Sequence, residues 1–175
     1  TTNIRSIDDQ IPDTKTKSEI IDLVYNQFKT DPYLFESFAA KIFEMHDDRV
    51  IIDEITRRTA DGGRDAIGRY RLGMKKDPIY VDFSLEAKCY MPKSTGETGN
   101  SVNVKDVSRL ISRIRNRQFG VMVTTSIIGK QAYKEVKEDG HPIIFICGKD
   151  IAEILIQHGY SSIKSVKFFI NNYLT

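Results

Sequence analysis

The sequence predicts a mixed α/β fold, a β-sheet of about five strands flanked by helices. Three observations carry this. Residues 79–90 alternate with period two: Val81, Phe83, Leu85, Ala87 and Cys89 point one way, and Tyr80, Asp82, Ser84, Glu86, Lys88 and Tyr90 the other. Residues 119–125 and 142–147 are short, continuous apolar runs of the kind buried strands have. Between and around these strands, apolar residues recur at helical spacing.

Ser18 can cap a first helix, in which Ile20, Ile21, Val24 and Phe28 form one stripe. The residues before it, 1–17, are polar and without period; they read as a tail or linker ahead of a domain over 18–175. Asp31-Pro32 is an N-cap followed by a first-turn proline, so a second helix starts there with Phe35, Phe38, Ala39 and Ile42 buried. Glu36 falls at the edge of that stripe. An acid there either leans over a neighbouring site or simply suits the helix N-terminus. His46 reads as a packed or capping residue.

A first strand spans 50–59, ending in Arg57 and Arg58, which are placed to meet phosphates. Asp61-Gly62-Gly63-Arg64-Asp65 makes a sharp turn, shaped by the Asp61 side chain and the two glycines. Strands over 65–72 and 79–90 follow, completing an antiparallel meander. The third is expected to be half-buried. Residues 91–101 have loop composition.

The next helix, 103–117, buries Val107, Leu110, Ile111 and Ile114. Arg109, Arg113 and Arg117 recur every four residues along another side, one turn after Lys105. Such a stripe suits DNA phosphates, an oligomer contact or plain surface. The strand at 119–125, a helix over 130–137, the strand at 142–147, and helices over 150–157 and 162–173 complete the chain. Gln131, near the start of its helix, either touches substrate or is a surface glutamine.

Composition bounds the function. The 175 residues, 40% hydrophobic and 29% charged, suit one domain with a proper core, and no apolar run approaches membrane-spanning length. A net charge of +2 and a pI near 8.4 permit nucleic-acid binding without demanding it. Cys89 and Cys147 sit in strand-like apolar runs without metal-ligating neighbours. They read as reduced core thiols of a cytoplasmic protein. There is no signal peptide pattern. The chain opens on Thr, as expected of a processed or excised piece.

The pleat puts the Glu86 carboxylate and the Lys88 ammonium on one face, about 7 Å apart along the strand. A hairpin brings Asp65 within reach of the same face. Two carboxylates suit a hard cation such as Mg²⁺, and a neighbouring lysine can orient and help activate a water.

Phe35-Glu36, Asp61-Gly62-Gly63-Arg64-Asp65, Glu86-Ala87-Lys88-Cys89-Tyr90 and Val123-Thr124-Thr125 with Gln131-Ala132 together span about two-thirds of the chain. In that order they resemble the Mrr-like restriction endonucleases of the PD-(D/E)XK nuclease superfamily. The resemblance implies a restriction-endonuclease-like fold. It also implies Asp65, Glu86 and the Ala87 carbonyl as metal ligands, Lys88 as the active-site lysine and Glu36 as an accessory acid. Glu86 stands where many Mrr-like members carry Gln.

The expected function is Mg²⁺-dependent hydrolysis of double-stranded DNA, with Mn²⁺ as a substitute. By resemblance the products carry 5′-phosphate and 3′-hydroxyl ends. Cutting both strands needs two sites, hence a homodimer or pairing on DNA, with a separate recognition domain or methyltransferase as further partners. The phosphate-binding motif of ATPase motors is absent from the sequence. Three alternatives stay open: the cleavage module of a modification-dependent restriction enzyme, a Holliday-junction or repair nuclease, and a non-catalytic DNA-binding module.

Overall fold

The computed structural model describes residues 3–55, 66–93 and 99–174. Arg57, Arg58, Asp61 and Asp65 therefore lie outside the described residues, as do residues 94–98 of the expected loop.

Among the described residues a five-stranded mixed sheet runs in the order β1-β2-β3-β5-β7. Strands β1 (Val50–Ile55), β2 (Ala66–Met74) and β3 (Asp77–Lys88) form the expected antiparallel meander. Strands β5 (Phe119–Thr124) and β7 (Ile143–Ile146) then join parallel to β3, through helical crossovers. Two residues each of β4 (Ser101–Val102) and β6 (Ile127–Ile128) pair separately. They are too short to leave a periodic signal.

Helices cover both faces. On one, α2 (Lys15–Phe28), α3 (Pro32–His46), α6 (Gly148–Gln157) and α7 (Ile163–Tyr173) enclose a core that includes Phe28, Phe35, Phe38, Phe43, Phe83 and Phe169. The rings of Phe28 and Phe38 lie 5.0 Å apart, and that of Phe43 meets Phe83 edge-on at 5.2 Å. On the other face, α4 (Val104–Arg113) and α5 (Lys130–Glu138) pack Val107, Leu110, Ala132 and Val136 over Met122. The strand expected to be half-buried is thus central, and Phe83, Ser84, Leu85 and Glu86 are buried on both of its faces.

Local chemistry explains where the elements begin and end. The α2 helix starts one turn before Ser18, because the Thr14 side chain accepts from the Lys17 N–H at 3.2 Å. For α3, Asp31 caps Leu34 N–H at 3.2 Å and Pro32 occupies the first turn, as the sequence predicts. The α6 helix begins two residues early, since the Asp150 carboxylate accepts from both the backbone N–H and the thiol of Cys147. The α4 helix ends at Arg113, and a 3₁₀ turn over Ile114–Asn116 follows. Arg117 therefore stands outside the helix, and the predicted arginine stripe stops at Arg113.

Residues 3–17, expected as a tail or linker, pack against the domain. The short helix α1 (Ile7–Gln10) buries Gln10, which bonds the backbone of Ile128. Just before it, the Arg5 guanidinium bonds both oxygens of Asp150, at 2.9 and 2.8 Å, and the Phe145 carbonyl at 3.0 Å. Its Nε also donates to the Tyr133 hydroxyl. Such a contact joins positions 145 residues apart and leaves no mark in local sequence pattern.

Candidate active site

The site lies where the last turn of β3 leaves the sheet. The parallel register sets Ser84 beside Gly120, Glu86 beside Met122 and Lys88 beside Thr124. Glu86 is therefore beneath α4 and only 3% exposed, while Lys88, at the strand end, is half-buried. Burial of a carboxylate is costly unless it is paired. Here the Arg113 guanidinium, on the last residue of α4, donates to Glu86 Oε1.

Two devices fix α4 in that position. Asn103 and Asp106 form a reciprocal cap, with Asn103 Oδ1 accepting from the Asp106 N–H at 3.0 Å and Asp106 Oδ2 from the Asn103 N–H at 3.2 Å. The Tyr90 hydroxyl donates to the same Asp106 carboxylate at 2.9 Å. Burial first, and then this acceptor, push the Tyr90 phenol pKa up. The strand exit at Tyr90 is thus tied to the start of the helix that carries Arg109 and Arg113.

A cleft of about 250 Å³ opens at this point. Glu36 enters it from α3, Glu86, Ala87 and Lys88 from β3, and Arg109 and Arg113 from α4. Six residues singled out in the sequence are thereby brought together from three elements. Tyr90, which the alternation puts on the Glu86 face, lines the cleft too, as does Lys29 at the C-terminus of α2, which the sequence reading does not name. A lone lysine after an amphipathic helix carries no sequence signal. The Asn103–Asp106 capping pattern, by contrast, was readable.

Cys89 also borders the cleft. Burial raises its thiol to about 11, so it remains a neutral thiol at physiological pH. Gln131 lies away from the cleft: it is exposed on α5 and bonds Glu135 Oε1 at 2.9 Å. Cys147 is a free, buried thiol, raised to about 12 by burial and then by Asp150.

Among the described residues no three His, Cys, Asp or Glu side chains converge closely enough to hold a metal ion by themselves. The donor chemistry of the cleft nevertheless fits a hard cation. Two carboxylates, of Glu36 and Glu86, border it, and among the described lining residues there is no histidine. The one soft donor is the protonated thiol of Cys89, which is turned to the Tyr25 carbonyl at 3.9 Å. Ala66, the first residue of β2, faces Leu85 across the ladder, one residue before Glu86.

The Mrr_cat family, described as a restriction endonuclease, matches residues 28–155. The solved structure of the DNA modification-dependent restriction endonuclease AspBHI superposes with a TM-score of 0.86 at 39% identity, over 98% of this chain and 43% of that one. The structure of MspJI restriction endonuclease in complex with a 27-mer oligonucleotide gives a TM-score of 0.80 at 24% identity, over 97% of this chain and 38% of that one. The second likeness bears on the fold alone. The chain spans less than half the length of either protein. No curated protein matches it. The matched family covers most of the sequence, including every residue that lines the cleft, and the chain belongs to the Mrr_cat restriction endonuclease family.

Proposed function

We propose that this chain is the DNA-cleaving module of a modification-dependent restriction enzyme and hydrolyses phosphodiester bonds with Mg²⁺. The observation that carries this is the cleft in which Glu86 and Lys88 meet Glu36, Arg109 and Arg113. The likeness to AspBHI, at 39% identity, favours modified DNA as the substrate over a branched junction.

Asp65, Glu86 and the Ala87 carbonyl would hold the cation, with Glu36 as an accessory acid. The Ala66–Leu85 register supports Asp65 in this role, because Asp65 is one peptide bond from Ala66. When bound, a divalent cation acidifies water and offsets the charge that develops on the phosphate. Lys88 orients the attacking water and helps to activate it through its ammonium donors. Arg109 holds a phosphate at the cleft edge as a fixed cation. A pocket lined by this many charges suits a backbone phosphate better than a base, which stacking on aromatic rings would hold. On this reading, reading of the modified base happens elsewhere than in the cleft.

The test is to incubate the purified chain with methylated and unmethylated plasmids, with Mg²⁺ or with chelator, and map the ends. Mg²⁺-dependent breaks with 5′-phosphate ends are expected. Absence of breaks on every substrate contradicts the proposal. Breaks on branched DNA alone favour the junction nuclease instead.

A further inference from the structure

We propose that Arg113 is an exchangeable latch on Glu86, which couples arrival of a DNA phosphate to cation binding. The inference rests on the nuclease reading above and concerns how that site is held before substrate binds. Glu86 is 3% exposed, so its charge needs a partner at all times. Arg113 supplies one: its guanidinium donates to Glu86 Oε1, and its own side chain keeps 20% exposure toward the cleft.

One carboxylate oxygen cannot serve a guanidinium and a cation equally well. The two positive groups also repel at such short range. Cation binding to the free protein therefore works against Arg113, through competition for one carboxylate and through repulsion. A phosphate in the cleft reverses the balance, because a guanidinium bonds phosphate oxygens as readily as a carboxylate. Arg113 then turns from Glu86 to the phosphate, and Glu86 is released toward the cation. Arg109, one helical turn earlier, lines the same cleft and contributes charge without that bond, which makes it the natural control.

The experiment measures Mn²⁺ affinity by the electron paramagnetic resonance of free Mn²⁺, with no turnover required. Wild type, Arg113→Gln, Arg113→Lys and Arg109→Gln are compared, each checked for fold by circular dichroism. Arg113→Gln is expected to bind Mn²⁺ about tenfold tighter than wild type, within the usual range of coupling between sites. Arg109→Gln, which removes equal charge, should change it by clearly less. A short DNA duplex should tighten Mn²⁺ binding to wild type and do so far less in Arg113→Gln.

If wild type binds Mn²⁺ and Arg113→Gln matches it, or matches Arg109→Gln, the latch is wrong while the metal site stands. If neither wild type nor Arg113→Gln binds Mn²⁺, the latch and the metal-dependent reading fall together. Should Arg113→Gln not fold, wild type itself decides: the ¹⁵N resonance of Arg113 Nε must shift on saturation with Mg²⁺. An unmoved resonance overturns the latch.

Discussion

Gly68 faces Phe83 across the β2–β3 ladder, and the Phe83 ring fills the space a β-carbon at residue 68 would occupy. Such a carbon would lie 2.6 Å from the ring and 2.2 Å from the Ile51 carbonyl oxygen. Phe83 is three residues before Glu86, so this close approach sets the strand that presents the site. Gly68→Ala is expected to cost about 2 kcal/mol or more and to lower Tm by about 4 °C or more. Thermal unfolding checks it, and an unchanged Tm would contradict the packing described.

Most of the sheet was legible in the sequence, because Phe83, Leu85 and Ala87 alternate and Val121 and Val123 lie in an unbroken apolar run. The Asp31-Pro32 start of α3 was legible because both residues act locally. The start of α2 was not: Thr14 and Ser18 both cap well, and Lys15, Thr16 and Lys17 add no apolar period to choose between them. Glu86 and Lys88 could be assigned to one face from the pleat alone. The Glu86–Arg113 pair could not, since it depends on where α4 crosses β3. Arg113 looked like one member of a stripe, and the structure bonds it to Glu86.

Arg5 ties the N-terminal segment to Asp150, Phe145 and Tyr133. Arg5→Ala removes these bonds and leaves the half-buried Asp150 without its guanidinium. A loss of about 2 kcal/mol is expected, with faster amide exchange over residues 7–10 and at Ile128. Hydrogen-exchange mass spectrometry reads both. Unaltered exchange would mean that the segment is held by something else.

Asp47 gives the fold an acid-sensitive joint. Burial pulls its carboxyl upward, but the bonds from Arg49 and Tyr70 outweigh this and hold it at about 2, below the ordinary 3.8. A depressed carboxyl stabilises the folded state fully above pH 3.8, and that contribution fades as pH falls toward 2. Discounted for solvent screening, it is worth about 1 kcal/mol. Asp47→Asn should therefore lower stability at pH 7 and flatten its decline over the acid window. Urea unfolding at several pH values tests this, and parallel curves for the two proteins would refute it.

Arg109 and Arg113 are expected to differ in their effect on DNA binding. In the absence of divalent cations, Arg109→Ala should lower the slope of log K against log salt by about 1. Arg113→Ala should lower it by less, because without a cation to replace it on buried Glu86 the Arg113 guanidinium stays shared between that carboxylate and the phosphate. Fluorescence anisotropy with labelled duplex at graded salt separates them. Equal slopes in wild type and Arg109→Ala would remove Arg109 from the phosphate contact.

Plasmid cleavage by Asp65→Ala and Lys88→Ala tests most directly whether Asp65, Glu86 and Lys88 act together on a DNA phosphate, as proposed. With Mg²⁺ present, wild type should cut, and each variant should be slower by about a hundredfold or more while it folds and binds DNA as wild type does. Folded variants that cut at the wild-type rate would contradict the account.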